Sequence, residues 1–323
     1  MRVCRYLLAG VVALGCAAVA SAQQPYPNKP IRLIVAFAPG GNTDTVGRIV
    51  GQKLGERVGT QVVVDNRGGA SGTLGTELAA HASPDGYTLT MGTTTTHAIA
   101  VAAFSELRYD PIKDFAPIAL VASAPYLLVV NSKVPARSLK EFVALAKSQP
   151  GKLNYGSAGA ATTTHLVMVT LATRAGLDMV HIPFKGNGPA TTAVVGGEVQ
   201  VLFGAVPPLL GHVSVGRVRA LAISSGKRSQ ELADVPTVAE SGYPGFDMAL
   251  WLGFFAPNGT PPAVIKRLES ALVQIVQSPE MKELLTRQGV EPYSMGSADL
   301  AKLVKAEIEN YKGVFKTAGI KMQ

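Results

Sequence analysis

The chain has only two cysteines, Cys4 and Cys16, and both lie within its first 22 residues. That segment carries Arg2 and Arg5, then an apolar run over residues 7–19, then Ala20-Ser21-Ala22. This order predicts a secretory signal peptide over residues 1–22, with cleavage before Gln23. The mature chain would then contain no cysteine, which excludes disulfides, thiolate nucleophiles and cysteine-ligated metals.

Long apolar runs and strong charge are also missing. Beyond the N-terminal segment, no run approaches the length that a transmembrane helix needs. Without Arg2 and Arg5, 28 basic residues face 22 acidic ones, a net charge of +6. The excess is scattered and forms no basic cluster interleaved with aromatics, which argues against nucleic acid as a partner. It fits a periplasmic protein, expected to be a monomer, that attracts small anions.

Common catalytic and cofactor motifs are absent. The sequence has no G-x-x-x-x-G-K-[ST], no G-x-S-x-G and no H-E-x-x-H. Its five histidines show no spacing typical of metal ligands. We therefore expect reversible binding without catalysis, with no metal and no organic cofactor.

Short strand-like runs alternate with helical ones along a mature chain of about 300 residues, enough for two domains with their own cores. This alternation predicts an α/β fold with parallel sheets built from βαβ units. Strands are predicted at residues 31–37, 61–65, 88–92, 116–121, 127–131, 153–156, 179–183, 199–203, 219–223 and 250–256. Helices are predicted from about residue 42 to 58 and at 72–82, 139–148, 162–175, 189–196, 262–277, 281–288 and 297–318.

The turn after the first predicted strand is the most informative local feature. The apolar run from Ile31 ends at Pro39-Gly40-Gly41, and a helical pattern follows. Glycines let a ligand approach the backbone, and the helix N-terminus favours an anion such as a carboxylate. The candidate ligand-binding residues are Gly41, Asn42, Thr43 and Asp44, the last three also being natural N-caps. The alternative is an ordinary tight turn before a buried helix.

A second glycine-containing turn, from Asn154 to His165, repeats this pattern with added hydroxyl groups. Both turns follow strands, and ligands of α/β proteins bind at the carboxyl ends of strands. Together the turns are suited to hold the two ends of one anion. The candidates here are Ser157, Gly159, Thr162, Thr163 and His165, although a lone run of serine and threonine is usually a helix cap.

Motifs along the whole mature chain resemble those of the Bug-type family of extracytoplasmic solute-binding proteins. They include Tyr26-Pro27-x-Lys29-Pro30-Ile31, Pro39-Gly40-Gly41 with Asp44, Val64-Asp65-Asn66-Arg67, Ser83-Pro84-Asp85-Gly86-Tyr87, Gly156-Ser157-Ala158-Gly159, Ile182-Pro183-Phe184-Lys185-Gly186 and Asp234-Val235-Pro236-Thr237. The resemblance implies a receptor that serves the membrane subunits of a tripartite tricarboxylate transporter. It also implies a two-lobed periplasmic-binding-protein fold that closes on carboxylates with backbone N–H groups, hydroxyls and ordered water.

By position, the resemblance adds Phe37 to the turn that would hold the first carboxylate. It also adds Thr93, Thr95 and His97 as residues that line the cleft, with a threonine-rich helix entry as the alternative. Lys185 would contact the anion or support the hinge, and His165 would face the ligand or cap its helix. Two residues depart from the family pattern. Ala161 stands where a glycine is common, and Gly204 replaces a usual Asp, which argues against an amino-acid ligand and leaves room for a bulkier one.

We expect the chain to cross between lobes near residues 123–126 and 245–250. Lobe 1 would comprise residues 23–124 and 248–323, and lobe 2 residues 125–247. Two other classes stay open at this point: a sensor that presents its ligand to a signalling partner, and a secreted hydrolase with Ser157 and His165 as nucleophile and base.

Overall fold

A computed structural model describes residues 26–318 of the chain, with side chains through residue 315. The predicted signal peptide, with both cysteines, lies outside the described residues. Within the described part, no helix combines the length and apolar character needed to cross a membrane.

The described chain alternates strands and helices as an α/β protein. The strands are β1 (Ile31–Val35), β2 (Val62–Asn66), β3 (Thr88–Thr93), β4 (Phe115–Asn131), β5 (Asn154–Ser157), β6 (Val180–Pro183), β7 (Val201–Ala205), β8 (Val218–Ile223), β9 (Ala249–Pro257) and β10 (Glu291–Gly296). The helices are α1 (Asn42–Val58), α2 (Thr73–Ala80), α3 (Ala100–Ala103), α4 (Leu139–Ser148), α5 (Thr163–Ala175), α6 (Asn187–Gly196), α7 (Val206–Ser214), α8 (Pro262–Gln277), α9 (Pro279–Arg287) and α10 (Ser297–Ala318). Short helical turns cover Ala70–Gly72, Thr95–Ile99 and Gln230–Leu232.

The strands form two groups that share one long strand, β4. In the first group β2, β1 and β3 are parallel, while β9 runs antiparallel to both β3 and the N-terminal part of β4. In the second group β5 is parallel to β6 and β7, while β7 and β8 run antiparallel to the C-terminal part of β4. The prediction of parallel sheets was therefore wrong for β4, β8 and β9. A βαβ argument covers strands joined by one helix, but these three pair with strands far away in sequence.

Strand β4 changes partners at one peptide bond. Pro125 pairs with Ala249 of β9, and Tyr126 pairs with Ala205 of β7. The sequence pattern predicted two strands here, because Ser123 and Pro125 interrupt the apolar run. Ser224 fastens the junction: its hydroxyl accepts the N–H of Tyr126 at 2.9 Å and donates to the carbonyl of Met248 at 2.6 Å.

Helix α1 packs on the first group as its apolar spacing predicts. Val46, Val50 and Leu54 are fully buried in the main core. The missing side chains of Gly47 and Gly51 let the helix lie directly on β1 and β2, since an added Cβ would be 3.3 Å from Val35 and 3.2 Å from Val62 respectively. This close packing fixes the helix N-terminus at the carboxyl end of β1.

Candidate functional site

In the turn after β1, helix α1 begins directly after a glycine instead of after a capping side chain. Gly41 is the N-cap residue, with φ −101°, and no side chain caps the helix. The prediction that Asn42, Thr43 or Asp44 caps it is therefore wrong. These three residues form the first helical turn and are at most 5% exposed. An uncapped N-terminus keeps backbone N–H groups available for an anion.

Asp44 supports this turn from inside. Its carboxylate accepts hydrogen bonds from the Gly40 N–H and from the Asn66 amide, each at 3.0 Å, and pairs with Arg48 at 2.9 Å. Burial by itself would raise the pKa of Asp44, but the bonds from Arg48, Gly40 and Asn66 outweigh it and hold the pKa below its usual value. The Asp44 carboxylate is therefore ionised. Because it is bonded to Gly40, Asn66 and Arg48, it stabilises the turn.

Phe37 lies on the edge of the same turn. Its carbonyl accepts a hydrogen bond from Asn66 at 3.1 Å. Its ring fills the space beside Gly72, where an added Cβ would come within 2.9 Å of the ring. A small pocket of about 210 Å³ opens beside it, lined by Phe37, by residues 158–160 of the second turn and by Ser71 and Lys185.

The turn after β5 has a special backbone. Gly159 has φ 142° and Ala161 has φ 54°, so Ala161 adopts the left-handed conformation that glycine tolerates best. Thr162 is the N-cap of α5, and its hydroxyl accepts the His165 N–H. It also donates to the Gly159 carbonyl at 2.7 Å. The prediction that Ala161 occupies a position suited to glycine agrees with this geometry.

Ser157 is completely buried at the start of this turn. Its hydroxyl lies 2.9 Å from the Gly159 carbonyl and 2.6 Å from Nε2 of His181, and it accepts the Gly159 N–H at 3.1 Å. His181 stacks on His165 with ring centroids 4.0 Å apart, and Tyr155 stacks on His181 at 4.9 Å. His181 was not among the predicted site residues, because it is 24 residues from Ser157 and belongs to the neighbouring strand β6.

Both stacked histidines are held neutral. Burial lowers the pKa of His165 to about 4, with a smaller contribution from His181, and burial lowers the pKa of His181 to about 4. The ring of His165 also accepts the Ala161 N–H at 3.0 Å through Nδ1. His165 and His181 therefore stabilise the turn as neutral rings, through their contacts with Ala161 and Ser157.

Several hydrogen bonds join the two groups of strands around these turns. The hydroxyls of Thr95 and Thr163 are 2.9 Å apart, Ser71 donates to the Ala160 carbonyl at 2.5 Å, and the Ala38 N–H donates to the Lys185 carbonyl at 3.4 Å. Only the backbone of Lys185 takes part, and its side chain is exposed. The two groups are thus in contact across the cleft.

A third helix N-terminus, that of α6, meets the first turn. An added Cβ at Gly41 would lie 3.1 Å from Cβ of Asn187, and one at Gly188 would lie 2.3 Å from the Pro39 carbonyl oxygen. The sequence pattern predicted that this helix starts at residue 189, so Asn187 was not among the predicted site residues. The glycines that flank Asn187 were the available signal, because they mark a close backbone approach.

Some predicted residues lie away from the facing turns. His97 is fully buried and stacks on Phe255 at 4.2 Å, and burial lowers its pKa to about 3. Thr93 bonds to Thr96 within its own loop. Leu202 and Leu209 occupy the space beside Gly204, where an added Cβ would lie 2.9 and 2.7 Å from them. The expectation that Gly204 leaves room for a bulkier ligand is therefore wrong.

Among the described residues, no group of three or more His, Asp or Glu side chains is arranged to hold a metal ion. Lysine and arginine are likewise missing from the buried residues between positions 26 and 315. What the turns do offer is backbone N–H groups, hydroxyls and carboxamides.

Comparison with known proteins shows a family model that matches most of this chain. The family model described as "Tripartite tricarboxylate transporter family receptor" matches residues 46–320. Protein BugT of Bordetella pertussis (strain Tohama I) is 34% identical over 314 residues, which cover 97% of this chain and 96% of that protein.

The solved structures that resemble the chain in both fold and sequence include two with bound dicarboxylates. Rpa4515 of R. palustris, solved with adipate, has a TM-score of 0.90 at 32% identity, over 92% of this chain and 100% of that one. MatC (Rpa3494) from Rhodopseudomonas palustris, solved with bound malate, has a TM-score of 0.84 at 34% identity, over 90% and 99% of the two chains. The two-lobed periplasmic-binding-protein fold is thereby confirmed.

Proposed function

Because this chain belongs to the tripartite tricarboxylate transporter receptor family, we propose that it captures a small organic carboxylate in the periplasm and delivers it to integral-membrane transporter subunits. The related structures with adipate and malate support a dicarboxylate of similar size. The proposed ligand sits between lobe 1 (residues 23–124 and 248–323) and lobe 2 (residues 125–247). The partner switch of β4 between Pro125 and Tyr126 supports this division.

The observation that carries the proposal is the presence of two helix N-termini, one in each group of strands, without a buried cation. The uncapped start of α1 at Gly41 belongs to the first group of strands and the hydroxyl-rich start of α5 at Thr162 belongs to the second, and Thr95 and Thr163 join the two groups at 2.9 Å. Helix N-termini favour negative charge through their free N–H groups and dipole. Each charge-assisted hydrogen bond is worth about 1.5–3 kcal/mol, so four or five support micromolar binding after the costs of association.

Binding in this proposal is reversible and non-catalytic. Ser157 is not exposed, and its hydroxyl is already within hydrogen-bond distance of Gly159 and His181. A histidine whose pKa is about 4 is also a weak general base at neutral pH. We expect no hydrolysis of p-nitrophenyl acetate above the buffer rate. Turnover that disappears in Ser157→Ala would contradict the proposal.

The first experiment identifies the ligand class and then tests the two turns. Thermal-shift and native mass spectrometry screens would compare mono-, di- and tricarboxylates with neutral sugars. Calorimetry with the best ligand would then compare Gly41→Val and Ser157→Ala with Lys266→Ala, an exposed cation on α8.

We expect Gly41→Val and Ser157→Ala to weaken binding at least tenfold. A valine side chain at position 41 would press on Asn187, and loss of the Ser157 hydroxyl would loosen the second turn. Lys266→Ala should bind as the parent does. The proposal fails if sugars bind best or if Lys266→Ala weakens binding most.

A further inference from the structure

A cavity of about 600 Å³ lies away from the facing turns. Strands β4, β9 and β10 and helices α5 and α10 supply its walls. On α5, the lining residues Thr170 and Arg174 come seven and eleven residues after Thr163, which is about 10–17 Å along the helix. No residue of the two facing turns lines this cavity, so it is separate from the candidate carboxylate site.

Negative charge prevails in this cavity, although the chain as a whole is basic. The charged residues that line it are three acids and one base: Asp247, Glu291, Glu307 and Arg174. The base is already engaged, because the Arg174 guanidinium donates to the Pro244 carbonyl at 3.3 Å and lies over the Phe246 ring at 5.5 Å. Asp247 also has a partner, since its carboxylate accepts the Gly226 N–H at 2.9 Å.

The two remaining acids, Glu291 and Glu307, lack a counter-ion. Neither forms an ion pair with another residue in the described part of the chain. Glu307 is partly buried, and burial raises the pKa of its carboxyl group, while the nearby Trp251 indole offsets only part of the increase. A carboxylate that has lost hydration in this way is stabilised by a cation bound next to it.

Trp251 gives an independent indication that a partner is missing. It lines the cavity and is 7% exposed, and its Nε1–H has no hydrogen-bond acceptor among the described residues. Buried polar groups in folded proteins are normally paired. A cation bound at Glu307 would keep that carboxyl group ionised, and an ionised carboxylate beside the indole is the acceptor that the Nε1–H lacks.

The rest of the lining suits a cation with an apolar body. Tyr293 and Tyr311 add two aromatic rings to that of Trp251, and such rings attract ammonium and guanidinium groups. The apolar side chains of the lining include Leu120, Met248, Met295, Leu303 and Val314. A bare metal ion fits less well, because no group of three or more His, Asp or Glu side chains between positions 26 and 315 is arranged to hold one.

We propose that this cavity is a second binding site, which takes a small organic cation with an ammonium or guanidinium group on an apolar body. Glu307 and Glu291 pair with the charge, and the aromatic and aliphatic side chains contact the body. A volume of about 600 Å³ is in the range of small-molecule sites. The site goes beyond the proposed carboxylate binding and does not depend on it.

Fluorescence titration tests the site directly, because Trp251 is the single tryptophan of the chain. The probes are agmatine and 2-phenylethylamine, together with 2-phenylethanol, which has a hydroxyl in place of the ammonium group. We expect both amines to change the tryptophan emission saturably, with the same Kd by calorimetry. We also expect 2-phenylethylamine to bind at least tenfold more tightly than 2-phenylethanol. Its affinity should fall at least tenfold in Glu307→Gln and at least threefold in Glu291→Gln, since Glu291 is more exposed.

Glu309→Gln is the matched control, because Glu309 is two residues further along α10, is exposed and pairs with Lys312. It should bind both amines as the parent does. Circular dichroism and Tm of each variant check folding, and Glu291→Gln keeps the test decisive if Glu307→Gln does not fold. The titrations are then repeated with the cleft saturated by the best carboxylate, where amine binding should persist.

Three results would overturn the site: no saturable signal and no heat with either amine, equal affinity for the alcohol, or parent-like amine affinity in the folded glutamine variants. Direct competition between amine and carboxylate would also overturn it, because the amine would then occupy the cleft. Each of these results leaves carboxylate binding intact. Failure of every carboxylate to bind, with amine binding retained, would instead refute the proposed function and support the second site.

Discussion

The hydroxyl groups of Thr95 and Thr163 lie 2.9 Å apart, although 68 residues separate them in sequence. The Thr163 N–H also donates to the Thr95 hydroxyl at 3.1 Å, and both side chains are buried. One residue follows β3 in the first group of strands, and the other begins α5 in the second. The pair therefore joins the two lobes, and we expect it to form only when they are closed.

Thr95→Val should weaken ligand binding about tenfold. The substitution keeps the shape of the side chain but leaves the Thr163 N–H without its acceptor, which costs about 1–3 kcal/mol in the closed state alone. Calorimetry with the best carboxylate measures the change. Thr173→Val, at an exposed position on α5, is the control and should bind as the parent does. Parent-like affinity of a folded Thr95→Val protein would show that the contact does not contribute to closure.

Gly188→Ala should also weaken binding, by blocking the approach of the lobes. The new Cβ would lie 2.3 Å from the Pro39 carbonyl oxygen. This is a backbone atom, so the clash can be relieved only if the main chain shifts. An open protein has no such clash, so the Tm without ligand should change little. Gly196→Ala in the same helix α6 is the matched control, because nothing lies within 4 Å of its added Cβ. Small-angle X-ray scattering with saturating ligand should show a more open Gly188→Ala protein, and equal compaction of the two variants would contradict the prediction.

Ala161→Gly should be tolerated far better than Ala158→Gly. Both alanines are 4% exposed, so each loses a buried methyl group worth about 0.8 kcal/mol. Ala161, however, has φ 54°, and release of that backbone strain returns about 1–2 kcal/mol. Urea unfolding without ligand should therefore place the two variants about 1–2 kcal/mol apart. Equal losses would mean that the left-handed conformation at residue 161 carries no cost.

The stacked histidines should make the protein less stable in mild acid. Their pKa values in the fold are about 4, against 6.5 in an unfolded chain, so the unfolded chain binds protons first. The free energy of unfolding should fall as pH drops through 6.5 and continue to fall until about pH 4. Because both rings are partly exposed, we expect a total loss of only about 1 kcal/mol or slightly more.

Urea titrations at pH 7.5, 6 and 5 measure this loss. A double variant, His165→Gln with His181→Gln, starts from a lower stability because Ser157 and Ala161 lose their ring partners. Between pH 6.5 and 4.5, its free energy of unfolding should nevertheless fall less steeply with pH than that of the parent. An unchanged slope would assign the acid sensitivity to other groups.

Much of the element order was readable from the sequence. Helices α4, α8 and α10 begin and end where their apolar spacing predicts. By contrast, helix α7 was missed because Pro207 and Pro208 suggest a loop, although proline is tolerated in a first helical turn. Strand β10 was missed because its residues are largely half-exposed and show no alternation.

The sequence by itself determined the two glycine-containing turns, since glycine, hydroxyl residues and the switch from strand to helix are local properties of the chain. Only the tertiary structure decided what meets those turns. It showed that Gly41, not Asn42, caps α1, that His181 rather than solvent meets Ser157, and that Asn187 of the second group of strands faces the first turn. Such contacts join residues on different strands and helices, and their distances depend on how the sheet brings the elements together, which no local pattern encodes.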